Sequence, residues 1–211
     1  MQATEWLSIV FTRIYARVID RGGITNEEFY QAHGEKERVF WVNGKNWPMA
    51  GQYTLFGTIL LNETKLDNVS ENIVDYVFLH EIGHSKAPTL LGVTSVLLRV
   101  PLLFFAVIGI PVLIGQWLIF LFSIPGLNSL MIKSLGYFIL VLILVGPLVI
   151  IWRLDEGHAE FWVISKVGED IYRNFHEEIK ENKNKGYIMK IFHKVFYPKP
   201  NQIIWFKHIM K

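Results

Sequence analysis

His80-Glu81-Ile82-Gly83-His84 is an HExxH pentapeptide. Residues four apart share one face of a helix. Two imidazoles at this spacing can chelate a single zinc ion while the glutamate between them projects beside it. Zinc brings the pKa of a bound water toward neutrality, and the glutamate takes its proton. The chemistry on offer is therefore metal-assisted hydrolysis. Catalytic zinc normally takes three protein groups plus water, so a third donor must come from elsewhere. Asp155-Glu156-Gly157-His158-Ala159-Glu160 supplies the candidates. Glu156 and Glu160 lie four apart on one helical face; one can ligate while the other hydrogen-bonds a ligand imidazole. Asp155 is a weaker competitor. His158 falls about 200° round the helix from Glu156 and reads as structural.

The HExxH pentapeptide needs a helix, and the local pattern provides one. Ser70-Glu71-Asn72 opens it, and Ile73, Val74, Val77, Phe78 and Ile82 give it an apolar face running to about Ser85. Before it, residues 37–62 read as strands, with Val39–Val42 entering a hairpin turn at Asn43-Gly44. Residues 6–19 read as an amphipathic helix carrying Trp6, Ile9, Val10, Arg13, Ile14, Arg17 and Val18. Thr25 with Glu27 and Glu28 reads as the start of a short second helix. Beyond the candidate ligands, Asp155–Glu181 reads as one long helix.

Between the two halves lies a very apolar stretch. The 211-residue chain has a mean hydropathy of +0.29 and is 51% hydrophobic. From Leu90 to Trp152 its only charged residues are Arg99 and Lys133. Val100–Pro125 and Ser134–Trp152 are each long enough to cross a bilayer, with Pro125-Gly126-Leu127-Asn128 between them. Two spans form a hairpin and return Glu156 to the side of the membrane that holds His80. Lys86, Arg99 and Arg153 on the flanks, against Lys133 in the short loop, favour flanks in the cytoplasm.

Charge is uneven. Residues 183–211 hold seven lysines and no acid, whereas residues 1–182 carry a net charge of −5. The lysines alternate with apolar residues, which suits anionic headgroups better than nucleic acid, and no nucleic-acid partner is expected. Cysteine is absent, which excludes disulfides, thiol nucleophiles and cysteine-ligated metals. No signal peptide, phosphate-binding loop or serine-hydrolase signature is expected. His33, His176 and His208 have no partner at ligand spacing and read as bland.

HEIGH, a two-span hairpin, then EGHAE followed by Phe161-Trp162-Val163-Ile164-Ser165-Lys166-Val167-Gly168-Glu169-Asp170, resembles the HtpX-type membrane metalloproteases. These share their catalytic plan, HExxH followed by ExxxD across a membrane segment, with the CAAX prenyl protease 1 group. The resemblance spans about residues 45–211. It implies zinc held by His80, His84 and Glu156, with Glu81 as general base. Upstream, Met49-Ala50-Gly51 and Gly57, Thr58, Ile59, Leu60, Leu61 and Asn62 resemble the family's edge strand before the zinc helix, to which a peptide substrate adds. Three features depart from the pattern. Glu160 stands where the family has Asp, as the neighbour of a ligand. The residue 6–19 helix, suited to a membrane surface, replaces a pair of N-terminal spans. Tyr197-Pro198-Lys199-Pro200 replaces a His-Pro-Pro stretch, leaving Tyr197 and His193 as candidates to stabilise the oxyanion.

The expected protein is an α+β, zincin-like catalytic domain with a small sheet, interrupted by a transmembrane helical hairpin. Residues 1–87 and 153–211 form the catalytic domain, and 88–152 the hairpin. The expected activity is that of a cell-membrane zinc endopeptidase, one Zn2+ per chain, facing the cytoplasm and cutting peptide or protein substrates such as misfolded membrane proteins. Two rivals remain. A site-2-type intramembrane protease would carry HExxH within a span, but Glu71 and Asp75 precede His80, and Asp155 is the only echo of that pattern. A non-catalytic, metal-stabilised anchor or partner-binding protein would have no need of Glu81.

Overall fold

A computed structural model of the chain describes residues 3–19, 23–45, 47, 49–88, 90–91, 94, 127–181 and 197–209. The elements are α1 (Ala3–Ile19), β1 (Ile24–Ala32), β2 (Glu35–Val42), β3 (Gly51–Tyr53), β4 (Ile59–Asn62), α2 (Glu63–Leu66), α3 (Glu71–Ser85), α4 (Leu127–Val167), α5 (Glu169–Glu181) and α6 (Pro200–Ile209). The architecture is α+β, with a mixed sheet in the order β1-β2-β4-β3. The chain divides into two compact units, Met1–Ala87 with Glu156–Lys211, and Pro88–Asp155.

In the first unit the sheet separates two apolar layers because its side chains alternate. Val39, Ile59 and Leu61 face one way and pack with Phe78, Leu79 and Ile82 of α3, and with Val163, Ile164 and Tyr172. Phe40, Val42 and Leu60 face the other way, toward Ile9 and Ala16 of α1 and Trp47. This period of two is what a strand imposes. α1 buries Ile9, Thr12 and Ala16 and leaves Ile14 and Val18 exposed. Its polar anchor explains that choice: the hydroxyls of Thr12 and Thr58 lie 2.8 Å apart, and the Tyr15 hydroxyl donates to Gln52 at 3.0 Å.

Several sequence expectations are corrected. Thr25–Glu28 is not helical but lies in β1, which pairs antiparallel with β2 along nearly its whole length. The ladder overrides the local helix-start signal, and Thr25 donates instead to the Trp41 carbonyl at 3.1 Å. The β1–β2 hairpin turns at His33 and Gly34, both with positive φ (49° and 83°), as a tight two-residue turn requires. Asn43-Gly44 instead begins a loop stitched by the buried Asn62 amide, which donates to the Gly44 and Met49 carbonyls at 3.0 Å each. The helix expected over 155–181 is interrupted at Gly168, whose φ of +85° ends α4 before α5 begins. Gly57–Asn62 is not an edge strand. Gly57 lies in a turn with φ +75°, and β4 pairs with β2 on one side and β3 on the other. Leu60, Leu61 and Asn62 are fully buried, so the strand offers no open side; the edge beside it is β3.

Among the described residues no helix is long and apolar enough to cross a membrane. The first expected span, 100–125, lies outside the described residues. The second, 134–152, lies in α4, where side chains are described only at 146, 147 and 149 onward within that stretch. The hairpin reading of 88–152 accordingly rests on the sequence.

Candidate metal centre

α3 begins where the sequence signals it. The Ser70 side chain caps the first turn by accepting from the Ile73 amide, and the helix runs through Ser85. Its buried face carries Ile73, Val77, Phe78 and Ile82 against the sheet, which places His80 and His84 on neighbouring turns. The third donor arrives through a close helix–helix contact. A Cβ on Gly83 would lie 2.6 Å from Ala159 Cα and 2.8 Å from its carbonyl oxygen. Only glycine permits that approach, and it sets Glu156, one turn before Ala159, against both histidines.

One ligating atom from each of His80, His84 and Glu156 falls within 4.8 Å of the other two. His80 Nε2 lies 3.2 Å from Glu156 Oε2, and His84 Nε2 lies 3.7 Å from the same oxygen. His80 and Glu156 are buried, and His84 is half-buried. Two imidazole nitrogens and one carboxylate oxygen are a donor set suited to zinc with an open fourth position. The convergence fits a metal ion.

Glu81 is buried beside this group. Its Oε2 accepts from the Tyr53 amide of β3 at 2.6 Å. The sheet comes this close because position 51 has no side chain: a Cβ there would stand 2.6 Å from Val77 Cγ1 and 3.0 Å from Glu81 Cγ and Oε1. Burial pushes the Glu81 carboxyl above its usual range, opposed by His84 and His80. A cavity of about 230 Å³ is lined by Glu37, Arg38, Tyr53, Gly57, Ile59 and Ser85, with none of the five clustered site residues in its wall.

Glu160 is buried on the far side of His80. His80 Nδ1 stands 3.2 Å from Glu160 Oε1, within ion-pair distance but not aligned for a hydrogen bond. Tyr76 donates its hydroxyl to the same oxygen, while the Tyr172 hydroxyl donates to Oε2 at 2.7 Å and His176 Nε2 lies 3.2 Å from it. Burial acts to raise this carboxyl, but His176 and His80 outweigh it and hold it well below the usual range. Burial pulls the His80 imidazole down, yet Glu156 and Glu160 prevail and hold it well above its usual value. Burial, with Glu160 beside them, raises the phenols of Tyr76 and Tyr172, so both remain donors.

Of the residues expected from sequence, His80, His84, Glu156, Glu81 and Glu160 come together. His158 turns away and donates from Nδ1 to the Gly83 carbonyl at 3.2 Å, a structural contact. Asp155 is buried but is not one of the three groups gathered. Tyr197 is half-buried, and Pro198 after it lies 3.9 Å from where a Cβ of Gly157 would stand, so the chain passes alongside the residue following Glu156. His193 lies outside the described residues. Sequence reasoning missed Tyr76, Tyr172 and His176. Spacing held the signal: Tyr76 is one turn before His80, and Tyr172 and His176 are themselves four apart.

No family model matches the chain, and neither a curated protein nor a solved structure matches it.

Proposed function

We propose that the protein is a membrane-anchored zinc endopeptidase on the HtpX-type plan, with a zincin-like catalytic domain. The observation that carries this reading is the convergence of His80, His84 and Glu156 within 4.8 Å, with Glu81 buried beside them. His80, His84 and Glu156 would hold the metal. A bound zinc would acidify its water and polarise the scissile carbonyl. Glu81 takes a proton from the attacking water and delivers it to the departing amine. Burial, which raises the Glu81 carboxyl, brings its protonated form closer to working pH. The Tyr53 amide fixes one oxygen of Glu81 and leaves the other to handle the proton.

The anchor is the 88–152 hairpin, whose uncharged runs are long enough to cross a bilayer twice. The catalytic domain then faces the cytoplasm, where extended segments of peptide or protein, misfolded membrane proteins among them, are the substrates. The test is zinc content per chain in detergent-purified protein, together with cleavage of an unfolded fluorogenic protein. Wild type should hold one zinc and cleave, Glu156→Ala should lose the metal, and Glu81→Gln should keep the metal and lose cleavage. A folded wild type without zinc, or cleavage retained in Glu81→Gln, would overturn the proposal.

A further inference from the structure

We infer that His176, with Tyr172, is a positioning residue of this metal centre, acting through Glu160 to aim the His80 imidazole. The inference rests on the zinc reading above but concerns residues outside both motifs. Glu160 is 4% exposed and sits between two sets of donors. Oε1 faces His80 Nδ1 and the Tyr76 hydroxyl, and Oε2 faces the Tyr172 hydroxyl and His176 Nε2. A carboxylate has about four acceptor sites, and here three hydrogen-bond donors together with His80 Nδ1, all from the two helices α3 and α5, surround them. One oxygen therefore serves the ligand helix α3, and the other ties the carboxylate to α5.

The consequence for the site is geometric. A ring nitrogen ligates well when the opposite N–H is held by an acceptor, which sets both tautomer and ring orientation. With its Nδ1 edge 3.2 Å from Glu160 and Nε2 turned to Glu156, His80 needs only a small ring adjustment on metal binding to donate from Nδ1 to Glu160. Glu160 can hold that aim only if its own rotamer is held, and the α5 pair does this. The length of the Glu160 side chain, one methylene more than an aspartate's, gains a reason. The longer side chain spans from His80 to α5, a distance over which an aspartate at 160 would forfeit one set of donors. Aspartate at position 160 should therefore be the wrong residue here.

The experiment measures the zinc dissociation constant of the full-length chain in detergent by chelator competition. The visible spectrum of the cobalt-substituted protein and the thermal midpoint are recorded alongside. His176→Ala should weaken zinc binding roughly 10- to 100-fold and shift the cobalt bands. His176→Gln, which keeps an N–H at that reach, should restore most of both, and Glu160→Asp should resemble His176→Ala. His208→Ala serves as the control, since His208 pairs with the exposed end of Glu169 at 3.1 Å; it should leave affinity and spectrum unchanged. Wild-type affinity and spectrum in His176→Ala would overturn the inference, as would a His176→Gln variant no better than His176→Ala. If His176→Ala does not fold, Tyr172→Phe removes only the hydroxyl, and an unchanged affinity and spectrum there would overturn the inference equally. A folded wild type that binds no zinc overturns the zinc reading itself. Wild type that binds zinc with indifference to α5 overturns only the role of His176.

Discussion

The two sides of the candidate metal centre are built differently. On α3, His80 and His84 owe their mutual geometry to a single helical turn, and any sequence that makes this helix places them together. On α4, Glu156 and Glu160 owe their placement against those histidines to packing: a glycine that lets two backbones touch at Gly83 and Ala159, and donors from α5 around the buried Glu160 carboxylate. The histidine pair is a local device and the carboxylate side a tertiary one. A motif can be read where geometry is local, while its partners are hidden wherever geometry depends on close approach.

Substitutions on each side can break that contrast or sharpen it. The largest effect belongs to Glu81→Gln. Losing a general base should slow cleavage roughly 10²- to 10⁴-fold with zinc content unchanged, since Glu81 is not among the three gathered donors. Metal removal should come next, because binding to the folded state alone stabilises it by about 4 kcal/mol when free metal exceeds the dissociation constant a thousandfold. Thermal unfolding with chelator, then with zinc restored, measures this. It should fall to zero in Glu156→Ala if that carboxylate truly closes the site.

Gly83→Ala probes the packing side directly. The added Cβ meets Ala159 backbone at 2.6 Å, so α3 and α4 must part, at about 1–3 kcal/mol of overpacking, and zinc content should drop. Gly157→Ala, whose Cβ meets only Pro198, at 3.9 Å, among the described residues, should leave zinc in place. Equal zinc content in both variants would show that the close contact does not position Glu156. Gly51→Ala should press on Val77 and Glu81 from the sheet. Cleavage should fall while zinc is retained, at about 1–3 kcal/mol in stability, read by parallel metal and activity assays. The smallest effect is Tyr30→Phe, which removes a 2.7 Å hydrogen bond to Asp75 near the start of α3. About 1 kcal/mol should be lost in denaturant unfolding, with no change in metal affinity.

Much of α3 was legible: its serine cap, its apolar face and its end near Ser85 are encoded within one stretch of chain. The strand content of 37–62 was also legible, but its arrangement was not. Asn43-Gly44 has the composition of a hairpin turn, yet the hairpin closes at His33-Gly34 because β1, read as helical at Thr25–Glu28, finds its partner in β2. The supposed edge at Gly57–Asn62 is interior because β4 lies parallel to β2 and leaves β3 outside. Strand order depends on pairing between distant segments, which periodicity does not record. His176 read as bland for a similar reason: its partner Glu160 is 16 residues away across the Gly168 break.

The sequence by itself determined the HExxH helix, its two histidines, the short stretch from which a third carboxylate could come and the apolar run between the two halves, because helical spacing, side-chain chemistry and hydropathy are properties of neighbours along the chain. The tertiary structure alone decided that Glu156 meets both histidines, that Glu81 is held by a β3 amide, and that Glu160 is gripped from α5. Each of these depends on how closely two backbones approach, and that distance is set by packing across the fold.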